Sequence, residues 1–240
     1  MIVRRVHPEV GEPIDTAAPG AREELAALYP RPAAGRSVRV NLVTTVDGAV
    51  QGADGTSASL SNAADRAVLG AIRSTAELVL VGASTLRAEG GLLPRRTPLA
   101  VMSRTGELSS AALDPDRAHA PVTVIGPPAA RERAAATLGV PHDFLALPGD
   151  EALELQLPAA LEALAARGQR HVVCEGGPIV VRGLLDLGLV DELCLTTSPR
   201  LAGRDAPVAF GGRSPAPVDA PLVQLLVDEQ GYAYARRRLR

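Results

Sequence analysis

Two short apolar runs, Glu77 to Val81 and His171 to Cys174, each stop at a small-residue turn that leads directly into a helix-forming stretch. A strand covered on both faces by crossover helices reads as such an unbroken apolar run, whereas a strand with one wet face alternates. The turns, Gly82-Ala83-Ser84-Thr85 and Glu175-Gly176-Gly177-Pro178, carry the chain from strand into helix. Two units of this kind restrict the chain to an α/β fold built on parallel strands.

The remaining pattern extends this reading. Val38 to Val46 is a strand rich in β-branched residues that closes on the turn signal Asp47-Gly48. Ser61 or Asn62 caps a helix with Asp65 in its first turn and Ala67, Leu69 and Ile72 on its apolar face. Further strands are expected at Leu99–Met102, Val122–Ile125 and Asp143–Leu147, and helices at Ala129–Leu138 and Pro158–Arg167. The Glu175 turn opens a helix that ends near Gly188, and Val190 to Thr197 is the next strand. Leu222–Asp228 and Tyr232–Leu239 flank Glu229-Gln230-Gly231 as a hairpin. The expected fold class is α/β, a mostly parallel mixed sheet flanked by helices with an antiparallel C-terminal hairpin. Residues 1–36 carry Pro8, Pro13, Pro19, Pro30 and Pro32 around one helical piece near Arg22 to Leu28. They read as an N-terminal arm on a domain spanning residues 37–240.

Composition narrows the function classes. The net charge is −2, without the basic surplus of a nucleic-acid binder, and aromatic residues are 2% with no Trp to stack on bases. No apolar stretch approaches the roughly 20 residues that span a bilayer. The N-terminus lacks the apolar core of an export signal, so a cytoplasmic protein is expected. Cys174 and Cys194 sit in apolar runs with no CxxC pair and no His cluster, which reads as two buried thiols in a reducing compartment and no metal site.

In an open α/β sheet, ligands gather at the carboxyl ends of the strands. Both small-residue turns lie there. Each exposes backbone N–H groups and the positive end of a helix, and glycine lets a ligand come close. Together they suggest a dinucleotide pyrophosphate held between two helix starts; taken singly, each is also ordinary turn geometry. No GxGxxG is present, which disfavours a standard Rossmann site. Asp47 and Glu175 end apolar strands, where burial would raise a carboxyl pKa and suit it to proton donation or to orienting a substrate. Arg73 and Arg96 are candidate anion clamps.

In order and spacing these motifs resemble the reductase domain of the bifunctional riboflavin-biosynthesis deaminase/reductase and its stand-alone relatives, which have a dihydrofolate-reductase-like fold. The resemblance runs from about Val38 to Phe210. Val40 to Gly48 looks like the first strand and its D-G end, Gly55-Thr56-Ser57 like a G-x-S element, and Leu69 to Arg73 like an L-R helix end. Val81 to Arg87 is similar to V-G-x-x-T-x-R, and Glu175 to Pro178 to E-G-G-P. Leu189 to Leu193 and Pro199 to Gly203 are similar to L-V-D-E-L and P-x-L-x-G.

The resemblance implies an NADPH-dependent oxidoreductase, commonly a homodimer, that reduces a phosphoribosylamino-pyrimidine by hydride transfer to the sugar C1′. It places Asp47 and Glu175 at the reacting end. It places Ser57, Arg73, Leu93, Arg96 and Glu175 on the substrate, with the two arginines on a ribosyl phosphate. Val43, Ser59, Gly82, Thr85, Glu89, Ser103, Arg104, Gly176, Gly177, Pro178 and Ile179 would hold the cofactor, with Ser103 and Arg104 facing its 2′-phosphate. The chain departs from the family around Glu89 to Arg96 and at Ser59, where a Trp is common. It also lacks the H-x-E and P-C-x-x-C of a deaminase. A reductase of pterin or folate-like substrates, and a nucleotide-binding relative without catalysis, are the alternatives.

Overall fold

The computed structural model describes residues 1–32, 35–89, 94, 96–109, 120–147, 149, 156–203, 206–210 and 218–240. In chain order its elements are β1 (Ile2–His7), β2 (Pro13–Asp15), α1 (Ala21–Ala27), β3 (Ser37–Thr44), α2 (Ala63–Ser74), β4 (Leu78–Gly82), α3 (Ala83–Ala88), β5 (Leu99–Met102), β6 (Val122–Gly126), α4 (Arg131–Thr137), β7 (Asp143–Ala146), α5 (Leu157–Ala166), β8 (His171–Cys174), α6 (Pro178–Asp186), β9 (Glu192–Thr197), β10 (Leu222–Asp228) and β11 (Ala233–Arg238). Short 3-10 turns at Ala58–Leu60 and Pro128–Ala130 precede α2 and α4. By their contacts the residues form two compact units, one of Met1–Ala33, Val38–Thr75 and Val190–Arg240, the other of Ala34–Ser37 and Ala76–Leu189.

The second unit is a parallel sheet in the order β8-β4-β5-β6-β7. Every residue of β4, β5 and β6 is buried, which is why those segments read as unbroken apolar runs. Val79, Val81, Leu99, Val101, Val122 and Val124 pack with Leu86, Leu108, Ala134 and Leu138 in one core. Each of these valines and leucines contributes about 1.5–3 kcal/mol by leaving water. α5 and α6 both begin on a proline in their first turn, where its missing N–H costs nothing.

The first unit orders its strands β2-β1-β10-β11-β9-β3. β3 and β9 run parallel, from Arg39 opposite Glu192 to Thr44 opposite Thr197. The remaining pairs, including the β10–β11 hairpin, are antiparallel. The hairpin strand expected from Tyr232 begins at Ala233, because Tyr232 donates its N–H to Asp228 Oδ1 and belongs to the turn. α2 starts where its cap chemistry dictates: Asn62 Oδ1 accepts the Asp65 N–H at 2.8 Å. Residues 1–36 supply β1, β2 and α1. β1 pairs with β10, and Val3 and Leu25 are fully buried. Neither strand was expected, since Arg4, Arg5 and three flanking prolines mask the pattern of a strand near a sheet edge.

A charged group lies inside this unit. Arg39, 7% exposed, donates to Glu192 Oε2 at 2.6 and 2.8 Å, to the Tyr29 and Pro30 carbonyls and to Thr75 Oγ1. Its guanidinium also lies 5.8 Å from the centre of the Tyr29 ring. Cys194 is buried nearby, and burial pushes its thiol up to about 12, as it does for Cys174. Both cysteines are inert core residues, as their sequence setting implies.

Candidate active site

Within the parallel unit, β4 and β8 are neighbours, and both small-residue turns leave the sheet at their carboxyl ends. The turns meet backbone to backbone. Gly82 donates its N–H to the Gly176 carbonyl at 3.1 Å, and Glu175 donates to the Leu80 carbonyl at 3.0 Å. Gly176 and Gly177 hold φ values of 122° and 84°, which L side chains rarely adopt. A Cβ added to Gly177 would come within 2.9 Å of Gly82 Cα, and one added to Gly82 within 3.2 Å of Gly177 Cα. A Cβ on Gly176 would sit 3.4 Å from Thr85 Oγ1. Gly177 is thus required by the approach of the turns and by its backbone angle, Gly82 is favoured by the approach alone, and Gly176 by its backbone angle.

This geometry brings Gly82, Thr85, Gly176 and Gly177 together. Gly82 also pairs with Met102 across the sheet, which puts the residues after β5 on the same edge. There Ser103 is 2% exposed, and its Oγ accepts the Gly106 N–H at 3.0 Å, so its hydroxyl shapes the turn; Arg104 is exposed. Pro178 and Ile179 are exposed at the start of α6, Glu175 is half-buried, and Glu89 is half-buried at the end of α3. Arg96 is exposed, and Leu93 lies outside the described residues.

The other candidates lie in the first unit. Val43 is half-buried on β3, and Arg73 is half-buried in the last turn of α2. Ser57 and Ser59 are half-buried in the loop before α2. Asp47 corrects an expectation. Rather than being desolvated with a raised pKa, its carboxylate is exposed and held down at about 2. The causes are hydrogen bonds from the Thr45 hydroxyl and from the N–H groups of Gly203 and Ala202, the latter two at 2.9 and 3.1 Å. A carboxylate so stabilised keeps its negative charge at neutral pH and orients what it touches; it is a poor proton donor.

Sequence reasoning gave Asp65 only a helix-start role. The structure buries it, 7% exposed, and burial raises its pKa against hydrogen bonds from Ser61 and Thr196. Nothing local marks that burial, because Thr196 comes from β9, far along the chain. Among the described residues no group of three His, Cys, Asp or Glu side chains gathers as a metal site, and no helix is long and apolar enough to cross a membrane.

The family model of the RibD C-terminal domain matches residues 36–234. The chain belongs to the RibD C-terminal domain family. Several solved structures share its fold. A pyrimidine reductase-like protein from Corynebacterium diphtheriae is 22% identical with a TM-score of 0.70, over 95% of this chain and 97% of that one. A diaminohydroxyphosphoribosylaminopyrimidine deaminase/5-amino-6-(5-phosphoribosylamino)uracil reductase from Thermotoga maritima is 21% identical with a TM-score of 0.67, over 86% of this chain and 57% of that one. The riboflavin biosynthesis reductase Rib7 of Saccharomyces cerevisiae is 15% identical with a TM-score of 0.60, over 92% of this chain and all of that one. At these identities the likeness is one of fold. No curated protein matches the chain. The matched span of this RibD C-terminal domain includes both glycine turns and the Asp47 and Pro199–Gly203 segments, which hydrogen bonds to Asp47 join.

Proposed function

We propose that the chain is an NADPH-dependent reductase that converts a phosphoribosylamino-pyrimidine of the 5-amino-6-(5-phosphoribosylamino)uracil type to its ribitylamino product. Membership of the RibD C-terminal domain family makes it a reductase of the riboflavin-pathway kind. The cofactor, the hydride transfer to sugar C1′, the residue roles, the homodimer, the cytoplasmic location and the boundary at residue 37 belong to the proposal.

One observation carries the cofactor reading: the close approach of the Gly82 and Gly177 backbones at the start of α6, where a Cβ on Gly177 would meet Gly82 Cα. The first turn of a helix has N–H groups without partners in the helix, and these suit a phosphate. Gly82, Gly176, Gly177, Pro178 and Ile179 would line the pyrophosphate, with Thr85 beside it. Ser103 shapes the loop that presents Arg104 to a 2′-phosphate. Val43, Ser59 and Glu89 complete the cofactor contacts. When bound, the reduced nicotinamide supplies the hydride.

Arg73 and Arg96 are assigned to the ribosyl phosphate, which guanidinium groups bind in fork geometry. Ser57, Leu93 and Glu175 are assigned to the substrate. Asp47, charged at neutral pH, serves as an orienting group, and the rate comes mainly from fixing donor and acceptor in place.

The test follows consumption of reduced nicotinamide with each substrate class. Turnover with the phosphoribosylamino-pyrimidine, and a raised KM in Arg96→Ala, are expected. Turnover with dihydrofolate alone contradicts the substrate assignment. Tight NADPH binding without turnover on either substrate contradicts catalysis.

A further inference from the structure

Arg200 lies in the Pro199–Gly203 segment, and no role has been given to it so far. Its exposed guanidinium donates to the carbonyl of Ser59, 141 residues earlier in the chain. Its own backbone is fixed. The Arg200 carbonyl accepts the Val46 N–H at 2.9 Å, and the Arg200 N–H donates to the Ser198 carbonyl at 2.8 Å. Two residues on, Asp47 grips the Ala202 and Gly203 N–H groups. The loop it reaches is ordered from within by Asp54, which accepts from the Thr56 N–H at 3.0 Å, the Thr56 hydroxyl at 2.9 Å and the Ser59 hydroxyl at 2.7 Å.

We infer that Arg200 is a positioning residue for substrate and cofactor recognition: by bridging the Pro199–Gly203 segment to the Ser59 carbonyl, it holds Ser57 and Ser59 where they meet their ligands. Asp47 anchors one end of this latch, Arg200 forms its arm, and Asp54 stiffens the loop that the arm holds. Arg200 and Asp47 are exposed and Ser59 is only half-buried, so the latch does little for the core and acts on the order of residues 52–60. The inference rests on the reductase reading for the ligands that Ser57 and Ser59 meet, but the latch itself does not.

The full chain would be compared as wild type, Arg200→Ala, Arg200→Lys, Asp54→Ala and the Arg200→Ala/Asp54→Ala double variant. Two readouts are used: amide exchange over residues 52–60, and steady-state kinetics with NADPH and the phosphoribosylamino-pyrimidine. Arg200→Ala is expected to speed exchange in that loop and raise KM about tenfold, the scale of losing a hydrogen bond to a charged group, with kcat changed by less than about twofold. Arg200→Lys, which keeps a cationic donor, should recover most of both. The double variant should be little worse than either single, because residues acting through one loop are not additive. Unchanged exchange in Arg200→Ala overturns the latch whatever the reaction, and so do additive losses in KM that reach about a hundredfold in the double variant. Faster exchange in Arg200→Ala, in a chain whose wild type shows no turnover, sustains the latch and overturns the reductase reading.

Discussion

The two units solve the same problem, fixing loops at strand ends, with a different balance of backbone and side chain. In the parallel unit the loops after β4 and β8 are held by backbone: glycines, carbonyls and N–H groups within a few ångströms. In the first unit the loops after β3 and β9 share backbone bonds, such as Val46 N–H to the Arg200 carbonyl, and are held besides by charged and polar side chains, through Asp47, Arg200 and Asp54. Deeper in that unit, Arg39 and Glu192 pair across 153 residues of sequence, and Asn62 reaches Asp228 across 166. A backbone cradle is rigid and accepts any phosphate-bearing ligand of the right shape. A side-chain latch is specific but can be released one residue at a time.

The contrast breaks most severely at Arg39. Arg39→Ala removes one partner of a mostly buried pair, leaving Glu192 with Arg236 at 3.9 Å. Urea unfolding should show a loss of about 3 kcal/mol, the usual cost of stranding a buried charge. Next comes the cradle. Gly177→Ala forces a Cβ toward Gly82 at a φ of 84°. It should cost about 1–3 kcal/mol of strain and weaken NADPH binding at least tenfold, read by fluorescence titration. A variant that folds and binds normally would show that the turns separate freely.

Smaller effects separate the two acids of the first unit. Asp47 has a folded pKa of about 2 against an ordinary value of 3.8, so its contribution to stability is present above about pH 4 and lost as pH falls through 2. In Asp47→Asn the acid limb of the stability profile should flatten in that window. Asp65 has the opposite sign: its folded pKa is raised, so the unfolded chain gives up the proton first and stability falls as pH rises above 3.8. Asp65→Asn should therefore have a Tm slightly above wild type near about pH 8 and equal to it near about pH 3, measured by thermal melts. A Tm below wild type at the higher pH would mean that the Ser61 and Thr196 hydrogen bonds outweigh the burial.

The same contrast explains what was legible in the sequence. Leu99–Met102 and His171–Cys174 are strands at the predicted residues, because burial on both faces writes itself as an apolar run. The glycines at 176 and 177 were legible because a turn's backbone angle is a local property. β1 and β2 were missed because a short strand with Arg4 and Arg5 takes its identity from β10, which arrives over two hundred residues later. The Asp47 carboxylate takes part of its stabilisation from Thr45 two residues away, but the N–H groups of Ala202 and Gly203, the Thr196 hydroxyl beside Asp65 and the Ser59 carbonyl that Arg200 reaches all come from remote parts of the sequence. Residue types and spacing locate such side chains at the strand ends and leave their charge state to the tertiary structure.

The central claim is that the turns after β4 and β8 together hold a reduced nicotinamide dinucleotide. Amide exchange of the full chain with and without NADPH tests it most directly. The account predicts slowed exchange at residues 82–86 and 176–181, abolished in Gly177→Ala. NADPH binding that leaves both segments exchanging at their free rates would contradict it.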